Sequence, residues 1–344
     1  MSNFLRFSKQ KMKSIKTNLM KIIINDNLDE FKSLSKSLES INEVINEKSS
    51  DNSLHLCSIF NSIKIIECLL TDFVDQIDVN QSNREEKRAL HLSSQYKHFK
   101  CCQLLLQNKE TVVDPLNRSD WTPLMLSLTK DNNLDIVKLL VEKGANLHLR
   151  NKDGWNAFHI AVRTAYLPQI QYLFDCDQSV CQTKSRINRS PLHTAALSGQ
   201  QSVVLFLLDN CMYECDERDS CGITPFMESL RNDCPDISRL LIKRQKIDPF
   251  LSDSLGRNGL HLSSETNAIK SIKYLVNELN FDINCVTTIG HLTPLHLAVK
   301  EGHIETIQLL LDLGADRYIK DSKERTPQEL AILLKRFDCE TLLK

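Results

Sequence analysis

Apolar residues recur along this chain at helical spacing, in paired short runs separated by polar punctuation. The stretch from Gly290 to Lys320 shows the plan most fully. Leu295, Leu297 and Ala298 mark a first helix, and Ile304, Ile307, Leu310 and Leu311 mark a second. Thr293 is placed as an N-cap, because its hydroxyl can accept from free helix N–H groups. Pro294 suits the first helical position, where no donor is missed. Gly302-His303 breaks the first helix, and Gly314 is placed for a left-handed cap on the second. Residues 315–322 then form an extended finger. A tetrad like Thr-Pro-Leu-His opens each such unit, with its fourth position at 55, 91, 125, 159, 193, 227, 261 and 296. The spacings are 36, then 34 five times, then 35. A fixed period in this range predicts a stacked array of helix pairs.

The ends depart from the tetrad. Ile15, Leu19, Ile22 and Ile23 mark one amphipathic stretch, and Phe31, Leu34, Leu38 and Ile41 another. They predict an N-terminal cap over 14–48, with the polar outer face that solenoids need. Residues 1–13 read as a basic disordered lead-in, 14–325 as one array, and 326–344 as a shortened C-terminal cap. A mitochondrial transit segment is the rival reading of the basic start, in which Arg6, Lys9, Lys11, Lys13, Lys16 and Lys21 face no acid.

Composition narrows the function classes. Charge is balanced, 43 basic residues against 44 acidic, so the basic excess of a nucleic-acid binder is missing. No stretch reaches the apolar length of a membrane span. Twelve cysteines in 344 residues without a Cys-x-x-Cys pair read as reduced thiols of a cytoplasmic or nuclear protein. The rival reading is a zinc centre of Cys211, Cys215 and Cys221, the only enzyme-like alternative. No phosphate loop or triad order appears. The expectation is a non-enzymatic monomer without cofactor or metal.

Tetrad and period together resemble the ankyrin repeat. The implied fold is an all-α ankyrin-repeat solenoid: stacked helix-turn-helix units with β-hairpin-like fingers, about eight tetrad-bearing repeats and terminal caps. Six of the ten histidines (55, 91, 159, 193, 261 and 296) are tetrad residues. In ankyrin repeats these form a hydrogen-bonded ladder between helix and finger. His98 and His303 fall where the first helix of their repeats breaks.

Trp121 and Trp155, the chain's two tryptophans, hold the same position in adjacent repeats. In the ankyrin fold that position lies on the finger and faces the groove. Neighbouring repeats stack at roughly 10 Å, so both indoles can line one patch. Asp120, Asp153, Arg118 and Arg150 surround them. Tryptophan is enriched at binding hot spots, so these six residues are the candidate partner-binding surface.

The stretches 120–125, 151–161 and 190–196, with His291 to His303, resemble the ankyrin repeat domain-containing protein 16 family over roughly residues 20–325. That family binds the catalytic domain of alanyl-tRNA synthetase and limits serine mischarging of the alanine tRNA. Its lysines accept misactivated serine. Lys152 matches one acceptor directly. Arg118 stands at a second, where a guanidinium is no usable nucleophile. The third falls at about Gln182, with Lys184 two residues on as a substitute. The resemblance thus implies a synthetase-binding cofactor without direct nucleic-acid contact. A generic ankyrin adaptor or scaffold for another protein is the alternative.

Overall fold

In a computed structural model, residues 14–36 and 42–344 are described. Leu38, Ile41 and the basic lead-in of 1–13 lie outside them. The described residues form twenty α-helices and no strand beyond an isolated bridge, Asn46–Asp51. The chain divides into two compact units, Met1–Val180 and Cys181–Lys344.

In the first unit, α1 (14–24) and α2 (Leu28–Ser35) precede four helix pairs. The first members are α3 (Ser53–Phe60), α5 (Ala89–Gln95), α7 (Pro123–Ser127) and α9 (Ala157–Thr164). Their seconds are α4 (Ile63–Thr71), α6 (Phe99–Gln107), α8 (Leu134–Glu142) and α10 (Leu167–Cys176). First helices pack on first helices and second on second. The α1 end is tied down by polar groups as well as by buried Leu19, Ile22 and Ile23. Both carboxylate oxygens of Asp26 accept from the first N–H groups of α4, and the Ser62 hydroxyl donates to the Ile23 carbonyl.

The second unit repeats the plan five times. Its first helices are α11 (Pro191–Ser198), α13 (Pro225–Arg231), α15 (Gly259–Glu265), α17 (Pro294–Glu301) and α19 (Pro327–Leu333). The seconds are α12 (Gln201–Asn210), α14 (Pro235–Gln245), α16 (Ile269–Asn277), α18 (Ile304–Asp312) and α20 (Phe337–Leu343). Residues 326–344, expected as a shortened cap, thus carry a complete short pair.

The tetrad starts each first helix for the reason its chemistry implies. Thr122, Asn156, Thr224, Thr293 and Thr326 sit in extended backbone and accept from the N–H three residues on. Where glycine is lacking, Asn61, Ala165 and Lys246 take the left-handed stop themselves. The irregular spacings have local causes. The 36-residue interval holds an extra 3₁₀ turn at Val74–Gln76. The 35-residue interval holds an extra finger residue, so Thr287 N–H reaches the carbonyl of Leu292, five residues on instead of four.

Candidate functional site

The fingers are tight turns without strand ladders, and one residue organises each. It recurs every 34 residues as Asn83, Asn117, Asn151, Ser185, Asp219, Asp253, Thr287 and Asp321. In the first unit, Asn117 N–H donates to the Trp121 carbonyl at 3.1 Å, while its side-chain oxygen accepts from the N–H groups of Ser119 and Trp121. Asn151 holds Asp153 and Trp155 in the same way. Successive tips are bonded too: Arg118 N–H donates to Glu85 O, and Lys152 N–H to Ser119 O.

The helix side supplies the other restraint. His91 Nε2 lies 3.0 Å from the Trp121 carbonyl, and His55 Nε2 lies 3.0 Å from that of Lys87. A carbonyl only accepts, so Nε2 carries the proton. Nδ1 then accepts from the backbone N–H of the helix-capping residue. Burial pushes His91 down to about 4, which keeps the ring neutral. In the second unit His193, His261 and His296 make the same rung to Ile223, Leu292 and Arg325. His98 and His303 bond the carbonyls of Ile59 and Glu265. All seven of these histidines hold backbone. Position 125 holds methionine, which has no N–H to offer the Trp155 carbonyl.

Trp121 is therefore presented on a finger fixed at both its N–H and its C=O. It lines a cleft of about 450 Å³ together with Glu85, Lys87, Asn117, Arg118, Leu126 and Thr129. Lys87 and Glu85 pair at 2.8 Å across one wall. Arg118 is exposed, donates to the Arg84 carbonyl, and stands 3.9 Å from Glu86. Asp120 takes the left-handed turn position at φ 60°.

Trp155 is half-buried and differently engaged. Its indole stacks on His159 at 6.3 Å, and the Arg163 guanidinium lies 5.3 Å from its ring centroid. Lys152, Asp153 and Arg150 are exposed beside it. The Lys152 amine donates to the Arg118 carbonyl at 2.5 Å, which brings the candidate acceptor onto the Trp121 finger. In the second unit, Gln182 is exposed, and the Lys184 amine lies 2.5 Å from the buried Glu217 carboxylate.

Sequence reasoning passed over three features. The 34-residue Asn/Asp register was visible in the chain. Arg163 follows Trp155 by eight residues, two helical turns from the finger, and only the fold pairs them. In the second unit, Arg189 bridges Asp219 and the fully buried Glu228, which Arg231 also meets. Burial raises the Glu228 carboxyl despite these cations. The proposed zinc ligands do not converge. Cys215 donates to the Gln245 carbonyl, Cys221 sits on a finger tip, and among the described residues no cluster of His, Cys, Asp or Glu could hold a metal ion.

A family profile described as ankyrin repeats in three copies matches residues 54–151, 124–219 and 192–287, and a single ankyrin-repeat profile matches 290–322. The chain belongs to the ankyrin-repeat family. Among ankyrin relatives it is 30% identical over 166 residues to Rabankyrin-5 of Mus musculus, covering 48% of this chain and 14% of that protein. It is 24% identical over 297 residues to the NAD-dependent deacetylase sir2B of Dictyostelium discoideum, covering 79% of this chain and 36% of that protein. It is 26% identical over 180 residues to the probable 26S proteasome regulatory subunit p28 of Saccharomyces cerevisiae, covering 51% of this chain and 78% of that protein. This ankyrin chain therefore spans well under half the length of the first two. No helix among its described residues is long and apolar enough to cross a membrane.

Proposed function

We propose that this ankyrin chain is a protein-binding adaptor that docks its partner on the fingers of its first unit. The observation that carries this reading is the cleft under Trp121. A large aromatic is half-exposed there on a finger whose backbone is locked by Asn117 and His91, so little ordering entropy is lost on binding. The match to the p28 protein, which covers most of a chain named as a probable regulatory subunit of an assembly, supports a role in protein association.

The finer proposal names the partner as the catalytic domain of alanyl-tRNA synthetase. It rests on the two tryptophan fingers and Lys152, since the relatives named above carry other partners or none in their names. Lys152 is the acceptor this reading favours, being exposed and beside the cleft. Lys184 is the weaker one, because its amine is held by a buried carboxylate, a charge-assisted contact stronger than the carbonyl contact of Lys152. In the step itself, the neutral Nζ attacks the carbonyl carbon of seryl-adenylate. AMP leaves, an amide forms on the lysine, and the nitrogen loses a proton to solvent. Docking beside the adenylate supplies the effective concentration.

Affinity capture with purified synthetase tests the pair of claims. Wild-type protein is expected to retain the synthetase, and Trp121→Ala with Trp155→Ala to lose it. With ATP and serine added, peptide mapping is expected to find seryl addition on Lys152. Capture without seryl addition leaves the docking claim and sinks the acceptor claim. Binding that survives the double alanine variant sinks the finger site.

A further inference from the structure

The fingers change character at one position. Two residues after the anchoring residue, at the tip, the first unit carries Glu85, Ser119 and Asp153. The second unit carries Ile187, Cys221, Leu255 and Ile289 on four successive fingers, and the fifth returns to a charge, Lys323. All four are exposed, Ile187 by 49%, Leu255 by 44% and Ile289 by 60%. A free cysteine packs as a small apolar group. The tips are in contact. Ser220 N–H donates to the Ile187 carbonyl at 2.9 Å, Ser254 N–H to that of Cys221 at 2.9 Å, and Ile289 N–H to that of Leu255 at 3.3 Å. The four apolar residues therefore form one line along bonded backbone. The turn itself does not ask for them, since Ser119 and Asp153 serve the same turn in the first unit. Single exposed apolar residues are ordinary, whereas a contiguous set marks an interaction site.

We propose that this line is a second docking site, which takes an extended acidic segment of another protein with an apolar residue at every third position. Spacing, width and charge select that occupant. Neighbouring repeats stack at roughly 10 Å. A polyproline II chain has three residues per turn and rises about 3.1 Å at each, so it sets every third side chain on one side at intervals of about 9 Å. The line is also narrow. Ser220 and Gly222, Ser254 and Gly256, and Thr288 and Gly290 flank three of its tips, and only Val286 widens it, at one finger. The apolar face of an amphipathic helix spans about 100° or more and would bury those polar neighbours as well. The exposed charges on these five fingers are Arg186, Arg218, Lys320 and Lys323 against Glu324, which pairs with Lys320 at 3.3 Å. Arg218 is held in place, its Nη1 donating to the Ser252 carbonyl at 2.7 Å. Carboxylates between the apolar residues of the segment meet this basic flank. The site lies wholly within the second unit and does not rest on the Trp121 cleft.

Fluorescence anisotropy on the full chain in reducing buffer tests this with a labelled peptide of three Leu-Pro-Glu units closed by a leucine. Saturable binding is expected, with a Kd below about 100 µM. Leu255→Ser and Ile289→Ser, which copy the residue type at tip 119, are each expected to weaken it at least about tenfold. Glutamine in place of the peptide's glutamates should weaken it about threefold or more, as should Arg186→Ala. Trp121→Ala with Trp155→Ala should leave it unchanged, which separates this site from the fingers of the first unit. Both serine variants lie at exposed tips, so helicity by circular dichroism should be unchanged; should one lose it, the other decides. Absence of saturable binding overturns the proposal. So does binding that a scrambled peptide of the same composition matches, that both serine variants leave intact, or that the double tryptophan variant removes. Tighter binding of an acidic helical peptide with leucine at every seventh position gives the line to a helix and overturns the extended occupant. Binding of phosphatidylserine vesicles through Leu255 and Ile289, with none of the peptide, gives it to a membrane and overturns it as well.

Discussion

Each finger turns on a single residue pair: an anchoring Asn, Asp, Ser or Thr, and a left-handed residue three positions later. The second position reads Glu86, Asp120, Gly154, Asn188, Gly222, Gly256, Gly290 and Glu324, all at positive φ. At Gly256 the requirement is double. Its φ is 75°, and a Cβ there would come within 2.4 Å of the Thr288 backbone nitrogen. Glu324 takes φ 58° without glycine's freedom, and left-handed backbone costs an L-residue about 1–2 kcal/mol. Its exposed pairing with Lys320 returns little. Glu324→Gly is therefore expected to stabilise the protein by about 1 kcal/mol, read as a higher urea midpoint at unchanged m-value. A lower midpoint would show that the turn is not strained. This register was legible in the chain, because Asn and Asp at a 34-residue interval with glycine three later is a turn signature. The Arg189–Asp219–Glu228 bridge was not. Glu228 lies 39 residues from Arg189 and sits in a helix whose tetrad otherwise reads as apolar, so nothing local marks it as buried with a partner.

The helix starts show how far a motif carries. Tetrad, Pro and capping residue placed the first helices correctly, and the tetrad histidine's two-sided bonding follows from its position three residues after the cap. Direction was harder to read. Trp121 and Trp155 share a sequence position, yet one lines a cleft while the other stacks on His159 under Arg163. Part of the difference is in the tetrad itself, Met125 against His159, and part lies eight positions on, Thr129 against Arg163, which a period built on the tetrad does not include. The histidine rungs also set a pH response. Burial lowers His55, His91, His193, His261 and His296, with His91 and His261 brought to about 4. The unfolded chain, with histidines near 6.5, then binds more protons than the folded one. The rungs contribute fully above pH about 6.5, and the contribution is lost as pH falls through 6.5 toward 4. Unfolding midpoints are thus expected to drop steeply across that window. His261→Met, copying the residue found at 125 and 227, should lower stability at neutral pH and shrink the drop. An undiminished drop would place the acid sensitivity elsewhere.

At the scale of the whole chain, the repeat period runs from 159 to 193 without interruption, although the chain divides at Val180. The tetrad records how helices start, which made the stack legible; nothing in its period marks a division at Val180. In a stacked array, stability is a sum of repeat terms and nearest-neighbour terms, so damage need not spread along the whole length. The two tryptophans make this measurable, since both belong to the first unit. Their fluorescence reports that unit, while far-ultraviolet circular dichroism reports helices of both. Leu310 is fully buried on α18, and Leu310→Ala should cost about 2–5 kcal/mol through lost burial and the cavity left behind. The expected outcome in a urea titration is a biphasic dichroism curve whose first phase moves to lower urea. The fluorescence transition should stay near its wild-type midpoint, because the repeats holding Trp121 and Trp155 lose no contact. If both signals shift together by the same amount, the two units unfold as one cooperative body, and the Trp121 and Trp155 fingers share the stability of α18.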